Sequence, residues 1–448
     1  MGDGQERRGD QTRGGRGVIL HTRGQPFSFQ HSVLGRVTMQ TVEDPRERRD
    51  YVLVVDSLDG IDARGYAGLL ANRALDTPEL NELHRSGVPV IHAIPQIIPF
   101  RPGQVVLMDG ATGFVRVLYR PDSRFNSIFA TDRCNSRCLM CSQPPREVDD
   151  SDRIYEHLRL VELMDPNTEY LGITGGEPTL LKDDLFRLLT KCRDCLPSAH
   201  IHVLTNGRLF YYESFAKKAA EVGHPRLTWA VPLYSDIDKD HDYVVQGPEA
   251  FYQTTVGLYN LAKYQQDIEI RVVLHALTYK RLPQLAMFLY RNFPFVSHVA
   301  LMGLEIMGFA KPNLGLLWVD PYDYQDELET AVSILANRGM RVSIYNHQLC
   351  VLKRSLWPYA RKSISDWKNI YIEECEHCIL REQCGGFFAS NLTRHSAHIR
   401  AYTDALARAG TVIEEAHGAS RPTRIRGEPS HRWTVLGGNR GLARTRAR

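Results

Sequence analysis

Nine cysteines occur in the 448 residues, and three of them share one loop. The stretch Thr131-Asp-Arg-Cys134-Asn-Ser-Arg-Cys138-Leu-Met-Cys141 has the spacing Cys-x3-Cys-x2-Cys. Three thiolates that close together can hold three corners of a cubane iron–sulfur cluster and leave the fourth iron without a protein ligand. Electron-transfer clusters are mostly closed by four cysteines. An open iron is suited instead to binding a substrate or cofactor, by the logic that separates catalytic from structural zinc. Zinc usually shows two close pairs of ligands, which this triple does not. A disulfide framework would need an oxidising compartment. Met1–Gly15 is polar and rich in glycine and arginine, without the apolar core of a signal peptide.

A second set follows towards the C-terminus: Cys350, Cys375, Cys378 and Cys384. Four thiols suffice for one complete cluster. They also suffice for a closed zinc site, into which His377 could be drawn. Gly385 and Gly386 would let backbone amides approach the sulfurs, and such hydrogen bonds tune a cluster's potential. The remaining pair, Cys192 and Cys195, sits one turn apart on a helical stretch. A thioredoxin-like reading exists for any such pair, but buried packing is the better one.

Between the two sets stands Gly175-Gly176-Glu177-Pro178. Its glycines allow close backbone approach to a ligand and expose amide groups. Glu177 adds an acceptor for an ammonium. Alone, such a turn is most often a strand–helix connection.

The elements that must position these residues alternate strand and helix. Strand signals cover Phe125–Ala130, Tyr170–Thr174, His202–Leu204, Leu227–Leu233, Ile268–His275 and His298–Met302. Helical spacing covers Ile154–Met164, Asp183–Leu196, Tyr211–Val222, Glu249–Tyr264, Leu282–Asn292 and Tyr322–Arg338. This rhythm predicts a parallel sheet with helices outside. Six βα units fit, too few for an eight-unit barrel and enough for a partial (β/α)6 TIM-like barrel. The loops after its strands would form the active face. The cysteine loop follows the first strand, and Gly175–Pro178 follows the second.

That pairing resembles the radical S-adenosylmethionine (SAM) superfamily, over about residues 122–340. The resemblance implies that Cys134, Cys138 and Cys141 ligate a 4Fe–4S cluster whose open iron chelates the amino and carboxylate groups of SAM. An electron from the cluster would then release a 5′-deoxyadenosyl radical that abstracts hydrogen from substrate. Met140 fills the usually aromatic slot near the adenine, as a flexible apolar substitute. Gly175, Gly176, Glu177 and Pro178 would meet the methionine amino group. Ser235 after the fourth strand, and Arg271 and His275 on the fifth, are further candidate SAM contacts; ordinary strand-end polar residues are the competing reading. The set at Cys350–Cys384 resembles the SPASM/twitch extension of peptide-modifying radical SAM enzymes. No cysteine follows Cys384, so the twitch form with one auxiliary 4Fe–4S cluster fits.

The wording of Cys134–Pro145, Tyr170–Leu180, Val231–Ser235 and Glu382–Phe388 is similar to His-Xaa-Ser system radical SAM maturases of the HxsC type. The implied substrate is a ribosomally made peptide. The implied partners are a second radical SAM maturase and an electron donor such as flavodoxin or ferredoxin.

Five segments are expected: a disordered basic tail at 1–19, a β-rich N-terminal domain at 20–121, the barrel at 122–340, an auxiliary cluster region at 341–395, and a helix with a basic tail at 396–448. In the N-terminal domain, Asp109-Gly110 between two β-prone runs signals a hairpin. The neighbouring text is faintly similar to swivelling β domains of phosphotransfer enzymes, and a generic small β domain explains it as well. Composition, with 43% hydrophobic and 24% charged residues, is that of a globular chain. No apolar stretch reaches the roughly 18 residues of a membrane span, so a cytoplasmic enzyme is expected. A net charge of +3 does not by itself imply nucleic acid. Two alternatives stand: a radical SAM enzyme acting on a small molecule or tRNA, and a zinc protein binding nucleic acid through its basic ends.

Overall fold

Seven strands run parallel and neighbour one another in chain order among the residues that the structure, a computed structural model, describes. These residues are 20–95, 100–363 and 369–403. The arginine-rich ends and the expected C-terminal helix lie outside them.

The chain first builds a separate mixed sheet. Its strands are β1 (His21–Arg23), β2 (Gln25–Phe27), β3 (Val33–Thr38), β4 (Tyr51–Val55), β5 (Gly68–Ala71), β6 (Val90–His92), β7 (Val105–Met108) and β8 (Phe114–Tyr119), in the order β1-β8-β7-β3-β4-β5-β6-β2. β3 to β6 are parallel. Helix α1 (Thr77–Ser86) connects β5 to β6. Its start is chemically explicit: the Asp76 carboxylate accepts from Glu79 N, and the Glu79 carboxylate accepts from Asp76 N, a capping box. The hairpin expected at Asp109-Gly110 joins β7 to β8. Its Asp109 side chain accepts from the Ala111 and Thr112 amides, and Gly113 takes the left-handed conformation.

The barrel follows as β9 (Asn126–Phe129), α2 (Arg153–Leu163), β10 (Tyr170–Thr174), α3 (Asp183–Cys195), β11 (His200–Leu204), α4 (Glu213–Glu221), β12 (Leu227–Pro232), α5 (Asp238–Val245), α6 (Ala250–Lys263), β13 (Asp267–Leu274), α7 (Leu282–Asn292), β14 (His298–Gly303), α8 (Leu314–Leu317), α9 (Gln325–Ala336) and β15 (Val342–Tyr345). Six βα units and a closing strand make a partial barrel. Helix α3 shows why these helices form. Asp183 and Asp184 favour its N-terminus, and Leu185, Leu188, Leu189 and Cys192 make one buried stripe. Cys192 is therefore packing, with Cys195 half-buried behind it. That stripe meets Leu171, Ile173, Ile201 and Val203 from the outer face of the sheet. Each such side chain, fully buried, contributes on the order of 1.5–3 kcal/mol.

The N-terminal sheet is fastened to the barrel at α2. Arg36 of β3 donates from Nε and Nη2 to the Leu163 carbonyl at 3.1 and 2.9 Å. Arg159 pairs with Asp50, and the Tyr119 hydroxyl meets Thr168 Oγ1 at 2.9 Å. No helix of the described residues is long and apolar enough to cross a membrane.

Candidate active site

The cysteine loop leaves β9 and is braced from within. Asp150, almost wholly buried, accepts from Thr131 Oγ1 at 3.0 Å, Asp132 N at 2.6 Å and Arg133 Nε at 3.2 Å. Asp132 in turn pairs with Arg146 and Arg153. Neighbouring loops clamp the far side. Arg137 N and Leu139 N donate to Val245 O and Val244 O of α5, and Phe309 N donates to Cys141 O. The backbone is thus fixed by carboxylates and amides, which leaves the thiols free for other work.

All three thiols are partly buried. Burial pushes Cys134 up to about 12, with Glu177 and Cys141 adding to it. Burial and then Cys141 and Cys134 push Cys138 higher still, and burial raises Cys141. The three therefore share one site in which each negative charge resists the next. A cationic iron core that takes thiolates removes that cost, so the donor set fits the cluster. Among the described residues, no three His, Cys, Asp or Glu side chains converge on a point that a single metal ion would fill. A cubane makes no such demand, since each thiolate binds a different iron.

Gly175 and Gly176 press the loop after β10 onto the cysteine loop. Gly175 has φ +143°, and a Cβ on it would lie 2.5 Å from Thr131 O; a Cβ on Gly176 would lie 2.1 Å from Arg133 O. The amides of Gly176 and Glu177 donate to Thr131 O and Arg133 O, both at 2.7 Å. These glycines therefore serve close loop-to-loop approach, and those two amides are used within the protein. Gly176→Ala is expected to separate the loops, costing about 1–3 kcal/mol as overpacking does. Anaerobic iron incorporation, together with the thermal midpoint, checks this; a wild-type iron content and midpoint would show the contact to be dispensable.

Glu177 is 1% exposed. Its Oε1 accepts from Thr179 N at 3.0 Å, Thr179 Oγ1 at 2.5 Å and Thr205 Oγ1 at 2.6 Å, and its Oε2 accepts from Asn206 N at 2.5 Å. Burial raises its pKa against these four donors. The carboxylate ties the loop after β10 to the end of β11, and Oε2 has the fewer partners. Pro178 opens a short 3-10 turn.

The other expected contacts lie around Tyr234. Met140 packs beside Tyr234, Val244 and Leu304 beneath the cysteine loop. Ser235 is buried; its Oγ accepts from Ile237 N at 3.1 Å. His275, at the end of β13, lies 6.3 Å ring to ring from Tyr234 and has no partner for Nε2 among the described residues. Arg271 lies deeper, inside the barrel. Residues that the sequence reading left out complete the rim. Asn206 Nδ2 donates to Asn135 Oδ1 at 2.6 Å, and Arg208 Nη1 to Asn135 O at 2.6 Å.

Three buried histidines surround this end of the barrel. Burial lowers His241 to about 3 and His275 and His347 to about 4. Their folded pKa values lie below the unfolded value, so the unfolded chain binds more protons below about pH 6.5. Stability is thus expected to fall as pH drops through 6.5 towards 4, by up to about 1.4 kcal/mol per histidine per pH unit. Chemical denaturation at pH 7.5 and 5.0 checks the sign, and equal stability at both would contradict it.

The second cysteine set also assembles. Cys350, Cys375, Cys378 and Cys384 line one cavity with Tyr371 and Tyr402, and His377 does not line it. Burial pushes Cys350 up to about 11, with the other three thiols adding to it. Leu349 N and Tyr402 N donate to Cys384 Sγ and Cys378 Sγ, each at 3.4 Å. The Gly386 backbone, with Leu349, opposes the burial-driven rise at Cys384. Residues 400–402 lie over the site, since Ile379 N donates to Tyr402 O at 2.9 Å. Asn391 links this region to the loop after β14 through Leu304 O and Ile306 N.

Residues 128–241 match the family model of the Radical SAM superfamily. The match covers about a quarter of the chain. It holds the cysteine loop and the Gly175–Pro178 loop. The GTP 3′,8-cyclase of Campylobacter jejuni (strain RM1221) is 33% identical over 107 residues, 22% of this chain and 32% of the cyclase. The chain thus spans about a third of the length of the curated relatives it matches. Among solved structures, Streptococcus suis SuiB bound to S-adenosylmethionine is 17% identical over 50% of each chain, with a TM-score of 0.40. Escherichia coli coproporphyrinogen III oxidase is 14% identical over 48% of this chain and 52% of its own, with a TM-score of 0.38.

Proposed function

We propose that the chain is a radical SAM enzyme that modifies a ribosomally made peptide of the His-Xaa-Ser repeat type. One observation carries the first half of this reading: the thiols of Cys134, Cys138 and Cys141 share a half-buried site against the Gly175–Glu177 loop, at the C-terminal ends of β9 and β10, inside the matched segment. The three thiolates would hold a 4Fe–4S cluster. When bound, it supplies the electron that cleaves SAM to methionine and a 5′-deoxyadenosyl radical. This chain's own residues do the rest. Asp150 and Asp132 hold the loop, Glu177 sets the height of the neighbouring loop, and Met140, Tyr234 and Leu304 keep water from beneath it.

The peptide half rests on the sequence wording at four places and on the thiol cavity of Cys350, Cys375, Cys378 and Cys384, which fits one auxiliary 4Fe–4S cluster. We assign residues 20–121 to an N-terminal domain, 122–340 to the barrel and 341–395 to the auxiliary region. A reductant protein such as flavodoxin or ferredoxin and a second maturase are the partners this reading calls for. A small-molecule substrate is the second reading, favoured by the overlap with GTP 3′,8-cyclase. The test is anaerobic reconstitution followed by reduction with dithionite. Conversion of SAM to 5′-deoxyadenosine, and a SAM-dependent mass change in a His-Xaa-Ser repeat peptide, is the expected result. Deoxyadenosine that rises with GTP and not with the peptide would favour the second reading, and no deoxyadenosine at all would refute both.

A further inference from the structure

The inner face of the barrel sheet is polar where its outer face is apolar. Outer-face Ile201, Val203, Trp229, Val231, Ile268 and Ile270 are all 0% exposed. On the inner face, the side chains of His202, Glu269, His298 and Arg271 retain 9%, 11%, 16% and 21% exposure. Barrels ordinarily fill their interior with bulky branched side chains. Here the strand register sets small residues beside the polar ones: Gly172 beside His202, Ala230 beside Glu269, and Ala300 beside Arg271. The lumen is lined rather than packed.

Glu269 organises that lining. Its Oε2 lies 2.8 Å from His298 Nδ1, and its Oε1 accepts from Arg271 Nη1 at 2.8 Å and lies 3.5 Å from His202 Nε2. The network extends to Tyr170 Oη at 2.7 Å from His202 Nδ1, and to Ser343 Oγ at 3.0 Å from His298 Nε2. Residues on five of the seven strands thus fix one carboxylate, and that carboxylate fixes one guanidinium. Arg271 stands one inward-facing position nearer the strand ends than Glu269, on the side of the cysteine loop. A guanidinium has five N–H donors in a planar fork. Arg271 commits one to Glu269 and one to the weak acceptor Met302 Sδ at 3.1 Å. The side chain keeps 21% exposure, so it is not sealed from solvent. A carboxylate is the group whose two oxygens match that fork.

We propose that Arg271 is the receptor for a carboxylate of the substrate within the lumen, with Glu269 as its positioning residue, and that Arg271 is not a SAM contact. The proposal rests on the peptide reading for the nature of that substrate. It is tested on the full-length, anaerobically reconstituted protein with SAM present. Three probes are titrated by calorimetry: N-acetyl-aspartate amide, N-acetyl-asparagine amide and N-acetyl-alanine with its free carboxylate. Saturable binding of at least one carboxylate probe, and none of the asparagine analogue, is expected. The carboxylate probe that binds distinguishes a side-chain carboxylate from a chain terminus. Arg271→Gln should weaken that binding at least tenfold, Arg271→Lys should restore part of it, and Glu269→Gln should weaken it less than Arg271→Gln does. Binding of the asparagine analogue equal to that of the carboxylates, no binding of either carboxylate, or unchanged binding by Arg271→Gln overturns the proposal. So does loss of SAM binding in Arg271→Gln, which would put the guanidinium on the cofactor. Deoxyadenosine formation by the wild type, scored separately, tells failure of the radical SAM reading from failure of this one.

Discussion

Protein in which Cys134, Cys138 and Cys141 are all alanine is expected to form no 5′-deoxyadenosine from SAM under reducing, anaerobic conditions. The argument turns on what those thiols do not do. The loop's shape is set by Asp150, Asp132 and backbone bonds to α5 and to the loop after β14. The bonds these sulfurs make are short-range ones within the loop itself, Cys141 Sγ to Gln143 O and the Ser136 backbone to Cys134, and none is one of the braces named above. Three alanines therefore remove the iron ligands while the barrel's outer core, with its fully buried strand and helix residues, stays intact. Loss of about four irons per chain, with unchanged circular dichroism, is the accompanying signature. Deoxyadenosine at the wild-type level from this variant would place the chemistry elsewhere.

Changing Cys350, Cys375, Cys378 and Cys384 to alanine is expected to have a different signature. Iron should again fall by about one four-iron cluster, because four thiols ligate one. SAM cleavage in the absence of peptide should persist, since the loop of Cys134, Cys138 and Cys141 is untouched. This region should also loosen. The Leu349 and Tyr402 amides lose their sulfur acceptors, and buried donors left without partners cost about 1–3 kcal/mol each. Cleavage by a protease near residues 396–402 should quicken accordingly. Zinc recovered from the wild type in one equivalent, or iron unchanged in the variant, would refute an auxiliary cluster.

Much of the barrel was legible because the outer register of its strands is apolar and its helices carry clean stripes. Tyr170–Thr174 and Leu282–Asn292 were read with their observed limits. Helix α5 was not, because Asp238, Asp240 and Asp242 crowd its apolar positions. Strand β15 is only four residues long, too short for alternation to stand out. In the N-terminal sheet, β1, β2, β3, β5 and α1 were missed, although Asp76-Thr-Pro-Glu79 spelled out a helix start. At the site, the cysteine spacing and the two glycines were legible because only a few residue types can perform those tasks. The partners of Glu177 were not, since Thr205 and Asn206 reach it across 28 and 29 residues of chain. Arg271 was legible as an inward-facing residue of its strand, because strand alternation gives its face; its bond to Glu269 was not, since alternation says nothing of depth.

The fastening of Arg36, Asp50 and Tyr119 to α2 and its following loop has a mechanical meaning. α2 is the helix into which the cysteine loop runs, so the N-terminal sheet abuts the element that anchors the loop's far end. For the sheet to swing as a swivelling domain does, it would have to break a two-pronged guanidinium bond to a helix end, an ion pair and a hydroxyl bond in one movement. Together these ties brace the far end of the cysteine loop from behind, through α2.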